Sequence, residues 1–258
     1  MFVMAVSHPQ PHVESPADHA LLGWLLERAW AKLNRSAWWN SLGSEALDPA
    51  EYEASAANHE LKFAKLEFNI RRAFHDAALA GLLSPRGPPL RVLDLGSGPG
   101  WFVWMLQELG HVAQGLEPMS SWTSPMKVRM SEVLGVAPID HFVRARRQLP
   151  APVGGRRYDV VTSWGTLFDL EAMHTGANAD RSEWEICVRH RAEGMTDKRF
   201  WDIANWAFFL TDLACNQLVE RGHVVLEVQV YDSFGRNARK WAEDAGVRVH
   251  RHFYTYIL

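Results

Sequence analysis

The stretch Leu90-Arg91-Val92-Leu93-Asp94-Leu95-Gly96-Ser97-Gly98-Pro99-Gly100-Trp101 decides how the rest of the chain is read. Val92, Leu93 and Leu95 make a short apolar run, the pattern of a parallel strand covered on both faces. Glycines at alternate positions then let the backbone turn sharply, take positive φ and approach a ligand with no Cβ in the way. A helix beginning near Trp101 would aim its free N–H groups at that ligand. Strand, glycine turn and helix in this order specify an α/β fold. An ordinary strand-to-helix turn also carries glycines, so the residues around this one give it meaning.

Two details narrow the reading. The spacing is Gly-x-Gly-x-Gly, not the Gly-x-Gly-x-x-Gly of dinucleotide folds, and Asp94 stands just before the first glycine. A carboxylate there repels a pyrophosphate and suits a cationic or neutral ligand, for example one bearing an amino group. Downstream, His111-Val112-Ala113-Gln114-Gly115-Leu116-Glu117-Pro118 reads as a second strand ending in an acid, as a carboxylate that grips ribose hydroxyls requires. The order strand, glycine loop, helix, strand, acid describes a nucleoside site.

These residues carry a resemblance. Asp94-Leu95-Gly96-Ser97-Gly98-Pro99-Gly100 followed by Gly115-Leu116-Glu117-Pro118 resembles the first two motifs of class I S-adenosylmethionine-dependent methyltransferases. The resemblance implies a doubly wound, mostly parallel sheet with S-adenosyl-L-methionine as cofactor. It implies that the glycine loop, Gly96, Ser97, Gly98 and Gly100 with Trp101 after it, passes under the methionine part. Asp94 then helps hold that end through its amino group or a water, and Glu117, followed by Pro118, binds both ribose hydroxyls. An NAD-type Rossmann enzyme is the competing reading.

The 258 residues suit one α/β domain with added helices. A net charge of −3 gives no protein-wide footprint for nucleic acid. Cys187 and Cys215 have neither metal-binding nor redox spacing, no apolar run approaches membrane-spanning length, and the opening residues lack the basic flank of a signal peptide. The expected location is the cytoplasm. The 12 tryptophans fill cores and also line pockets for flat ligands.

In chain order, residues 1–15 lack periodicity and read as disordered, and 16–84 read as a helical cap. Ser15-Pro16 opens its first helix, with Leu21, Leu22, Trp24, Leu25, Leu26, Ala29 and Trp30 as the apolar face. Asp48-Pro49 opens a longer pattern that runs to about Leu83, stopped by Pro85, Gly87, Pro88 and Pro89, with His59, Lys62 and Lys65 on a face read as solvated. Residues 85–258 form the cofactor domain.

Within that domain Ser124-Pro125 starts a helix to about Leu134, and Asp140-His141-Phe142-Val143-Arg144 suggests a third strand. Methyltransferases often place an acid after that strand for the adenine amino group. Here Arg146-Arg147-Gln148-Leu149-Pro150 stands instead, which leaves a backbone group near Arg147 to face the adenine. The Arg144, Arg146 and Arg147 cluster reads as a solvated loop. Tyr158-Asp159-Val160-Val161-Thr162-Ser163-Trp164 resembles the family's fourth strand, whose end faces the transferred methyl group and brings in Ser163 and Trp164. The family's Asn-Pro-Pro-Tyr motif for nucleobase and glutamine nitrogen is replaced by Ser163-Trp164-Gly165-Thr166.

The polar segment 167–198 has no period and reads as a lid or substrate-recognition insertion. An aromatic-rich helix follows over 199–220, ended by Gly222, then a fifth strand over 223–230, a short helix over 237–245 and a last strand within 247–258.

Methyl transfer from a sulfonium is an in-line displacement helped mainly by positioning in a dry site, and it needs no side-chain nucleophile. By location His174 and His190 are the candidate bases, His174 first; an incidental loop histidine is the competing reading for each. The 12 histidines show no metal-ligand spacing. The sequence therefore points to methylation of an oxygen or nitrogen on a small molecule, without nucleic-acid or membrane partners. A methyltransferase acting on protein or RNA, or a cofactor-binding protein without catalysis, are the alternatives.

Overall fold

The computed structural model describes residues 15–41, 65–83, 87–119, 125–144, 146–164 and 203–227. The expected disorder at 1–15 apart from Ser15, the Asp48-Pro49 cap, the insertion at 167–198 with His174 and His190, and the elements expected after 228 lie outside these residues.

Helix α1 spans Pro16–Leu33, and its start is as the sequence leads one to expect. The Ser15 hydroxyl accepts the Asp18 N–H at 3.2 Å while the Asp18 carboxylate accepts the Ser15 N–H at 2.8 Å. This reciprocal pair satisfies donors that a helix start leaves open. Leu22, Leu25, Ala29 and Leu33, at spacings of three and four, form the buried stripe. Trp24 and Trp30, expected on that stripe, face outward instead, with Arg28 stacked over Trp24. After the short α2 (Ala37–Ser41), α3 covers Leu66–Leu79. It stops before the prolines, at Gly81, whose φ of +71° is the left-handed conformation that ends a helix cheaply only at glycine.

Four strands follow: β1 (Arg91–Leu95), β2 (Val112–Leu116), β3 (Tyr158–Trp164) and β4 (Leu218–Glu227). They form one all-parallel sheet in the order β2-β1-β3-β4. Helices α4 (Trp101–Glu108), α5 (Pro125–Leu134) and α6 (Ile203–Asp212) lie between them in sequence. Adjacent residues of one strand serve opposite cores. Val92 and Val160 pack with α1, α3, α4 and α5, whereas Leu93 and Val161 pack with Phe209 of α6. A sheet covered on both faces is why the strands read as apolar runs without alternation.

Two expected boundaries are corrected. Residues 140–144 do not form a strand; a single parallel bridge joins Ile139 to Leu116. The Asp140 carboxylate turns back to accept the Met119 N–H at 2.8 Å, which closes the loop after β2 and draws the chain off the sheet edge. The helix expected over 199–220 ends at Asp212, passes through a π-helical turn (Leu213–Gln217) and becomes strand at Leu218. Asp212 is held there by the Leu149 N–H at 2.9 Å and the Asn216 amide at 2.7 Å, so the last turn is tied to the loop before β3. Gly222 does not cap a helix. It lies where the β3–β4 register shifts, and a Cβ there would come within 2.9 Å of Leu218 and 3.1 Å of the Asp159 carbonyl.

Candidate functional site

The chain leaves β1 to one side for β2 and returns to the other for β3, so strand order reverses at the carboxyl end of β1. Open parallel sheets bind their ligands at such a switch point. The glycine turn is built there. Gly96, Gly98 and Gly100 have φ of +69°, +54° and +87°, all in the region that other residues rarely adopt. The Gly96 N–H donates to the Leu116 carbonyl at 2.7 Å, which fastens the turn to the end of β2, and the Gly100 N–H donates to the Ser97 carbonyl at 3.0 Å. A Cβ at Gly98 would meet nothing within 4 Å, so the backbone there borders open space. At Gly115 a Cβ would come within 2.8 Å of the Ser97 Cβ and clash with its hydroxyl oxygen, so this glycine lets β2 pack against the turn. Trp101, the first residue of α4, is buried and stands edge-on to Trp104 at 6.4 Å between ring centres.

Two buried carboxylates flank the turn. Asp94, 3% exposed, accepts the Thr162 hydroxyl at 2.8 Å across the β1–β3 register pair. Burial pushes its carboxyl well above the ordinary carboxylate range; the Thr162 hydrogen bond pulls it back, the negative charges of Asp76 and Glu117 raise it further and Arg72 lowers it. Asp76 and Arg72 belong to α3, so the N-terminal helices act electrostatically on the turn. Glu117, one residue past β2, accepts the Gly98 N–H through Oε2 at 2.9 Å and the Lys127 ammonium through Oε1 at 3.0 Å. Both side chains of this ion pair are 6% exposed.

The remaining expected site residues divide. Ser97 is buried and its hydroxyl has no hydrogen-bond partner. Pro118 follows Glu117 into the loop pinned by Asp140. Ser163 is buried in register with Leu95, which puts Trp164 one position beyond the end of β1. Trp164 stands edge-on to Phe102 of α4 at 5.7 Å, and its indole N–H is buried without a partner. Arg147 is exposed, and its backbone N–H closes a turn onto the Arg144 carbonyl at 3.3 Å. Its neighbour Arg146, at φ +53°, donates to Asn205 of α6 at 2.9 Å, so this part of the arginine loop serves the fold.

Sequence reasoning passed over Thr162 and Lys127. Thr162 is a hydroxyl inside a buried apolar strand, where it needs a partner. Lys127 stands third in a helix opened by Pro125, where a cation opposes the helix dipole. Each breaks a local rule, and that was the available signal. No protein-family model matches the chain, and no curated protein matches it.

Proposed function

We propose that the chain is a class I S-adenosylmethionine-dependent methyltransferase acting on an oxygen or nitrogen of a small molecule. The observation that carries this reading is the glycine turn at the sheet's switch point with an acid from each adjoining strand, Glu117 reaching across to the Gly98 N–H at 2.9 Å. A dinucleotide site would need the turn's N–H groups for a pyrophosphate, and buried Asp94 opposes one.

The residues present fit the cofactor. Asp94 offers a buried carboxyl, raised in pKa by its burial, whose ionised form a ligand cation beside it would favour. Glu117 would take the ribose hydroxyls, and the unpartnered Ser97 hydroxyl gives a further polar contact in the turn. When bound, S-adenosylmethionine supplies a methyl carbon on a sulfonium centre, which a nucleophilic oxygen or nitrogen displaces. The chain's own contribution is to bind, orient and exclude water. Phe102 and Trp164 make an aromatic wall beside the turn that serves the last of these.

Titration calorimetry with S-adenosylhomocysteine tests the proposal. Micromolar-range binding by the wild type supports it, and absence of binding removes it. Methyl transfer to an acceptor from a metabolite extract then separates an enzyme from a cofactor-binding protein, and transfer to protein or RNA alone would move the acceptor to a macromolecule.

A further inference from the structure

The Asp94–Thr162 pair carries an inference that rests on the reading above. The two are register partners on β1 and β3, and both are buried. The Thr162 hydroxyl reaches two acceptors, Asp94 Oδ1 at 2.8 Å and the Leu93 carbonyl at 3.5 Å. A hydroxyl donates one proton and can also accept one. Against an ionised Asp94 it donates to Oδ1; against a protonated one it accepts from Oδ1 and turns its own O–H to Leu93. The pair is therefore satisfied in either state, as a carboxylate held by an ammonium, which cannot accept, would not be.

The surroundings favour the protonated state. Burial is the largest influence on Asp94; Asp76 of α3 and Glu117 beyond β2 add negative charge, and Arg72 of α3 opposes them less strongly. Asp76 is paired with Arg72 at 3.7 Å and Glu117 with Lys127 of α5 at 3.0 Å. The titratable group of α4, Glu108 at the end far from the turn, is paired with Arg28 of α1 at 2.7 Å.

We infer that Asp94 and Thr162 form a proton switch: an ammonium-bearing ligand entering at the turn displaces the Asp94 proton, and the Thr162 hydroxyl turns from Leu93 to the carboxylate. The O–H bond of the Asp94 carboxyl breaks, its electron pair stays on the oxygen, the proton passes to solvent, and the ligand keeps all its own protons. Uptake of the ligand's amino end is thereby coupled to release of one proton, and affinity rises with pH. Thr162 is a positioning residue in this switch and acts through Asp94.

Calorimetry in buffers of different protonation enthalpy, over about pH 5–8, counts the protons released on binding. S-adenosylhomocysteine should release about one proton per molecule bound where Asp94 is protonated in the free protein, falling to none at higher pH. Its affinity should rise about tenfold per pH unit over the same range and then level off. 5′-Methylthioadenosine, which keeps the nucleoside and thioether but has no amino group, should release none. D94N should bind S-adenosylhomocysteine without proton release, and the wild type should approach its affinity at the acid end. T162V removes the hydroxyl and should move the levelling-off to higher pH, whereas T162S should keep the wild-type profile. A Thr162 that only supported the fold would, in T162V, lower affinity for both compounds alike and leave the pH profile unchanged, and that result overturns the switch. Proton release that persists in D94N traces the proton to the ligand or another group and overturns it too. Should T162V not fold, the wild type and D94N decide alone. A wild type that binds neither compound removes the cofactor assignment and the switch with it, whereas one that binds S-adenosylhomocysteine with no proton released at any pH removes the switch alone.

Discussion

Where the strands begin, polar side chains are matched to backbone: His111 takes the Leu90 N–H on Nδ1 at 3.2 Å and reaches the Leu82 carbonyl with Nε2 at 3.0 Å, and the Asp159 carboxylate accepts the Arg91 N–H at 2.7 Å. Where they finish, Asp94 is buried against the ordinary preference of a carboxylate, and the Ser97 hydroxyl and Trp164 indole N–H are buried without partners. The two edges belong to the same strands and the same cores. Each edge also buries groups without partners, Arg91 Nε and Gln217 Oε1 at the start, but only at the finish do such groups stand with a buried carboxylate beside the open space at Gly98. A buried carboxyl with a raised pKa next to open space is the combination that marks the finishing edge as the place for a ligand's groups.

Substitutions at the two edges should therefore act on different quantities. The largest effect is expected from Gly98→Arg, which fills the open space beside the turn: binding of S-adenosylhomocysteine should fall below detection in calorimetry. The fold should survive at a cost of about 1–2 kcal/mol for a side chain at positive φ, read from a denaturant titration. Strong binding by this variant would place the ligand elsewhere.

Asp94→Asn should weaken binding of S-adenosylmethionine by about 10- to 100-fold, the range of a hydrogen bond to a charged group. It should do the opposite to the free protein. Burial raises the Asp94 pKa, so the folded chain holds this proton more tightly than the unfolded one. Its contribution to stability is present below the unfolded value, about pH 4 for an ordinary carboxylate, and is lost as pH rises through the raised folded value. Thermal melts of Asp94→Asn and wild type should meet near that lower limit and diverge as pH rises, with the variant melting higher. A variant that melts lower at neutral pH would mean that the carboxylate stabilises the fold, and the contrast between the edges would weaken.

Gly115→Ala sharpens the comparison from within, because its Cβ would press on Ser97 and displace the turn. A loss of about 1–3 kcal/mol in stability, as for other overpacked sites, should accompany a measurable fall in affinity. Smallest for the ligand is His111→Ala at the opposite edge. It strands the Leu90 N–H and Leu82 carbonyl and should cost about 1–3 kcal/mol of stability. Affinity should stay within about twofold, as for distant independent sites. A large loss of affinity here would show that the edges are coupled.

Much of this was legible along the chain because it is local. The cap at Ser15-Pro16, the apolar runs of β1 and β3 and the glycine turn follow from residues within a few positions of one another. Misreadings arose where distant residues decide. The ends of α6 and β4 are set by Asp212 reaching Leu149, a contact 63 positions apart, which no local pattern encodes. Residues 140–144 have strand-forming composition, but Asp140 is used by the Met119 N–H 21 positions earlier.

The amino-acid order by itself determined an α/β architecture, the glycine turn after β1 and an acid at the end of each of the first two strands, because backbone freedom, apolar periodicity and the order of elements are properties of short segments. Only the tertiary structure decided that Glu117 meets both Gly98 and Lys127, that Thr162 attends Asp94, and that α3 brings charge to bear on the same turn. These pairings depend on strand register and helix packing, which fix distances between residues that the chain holds far apart.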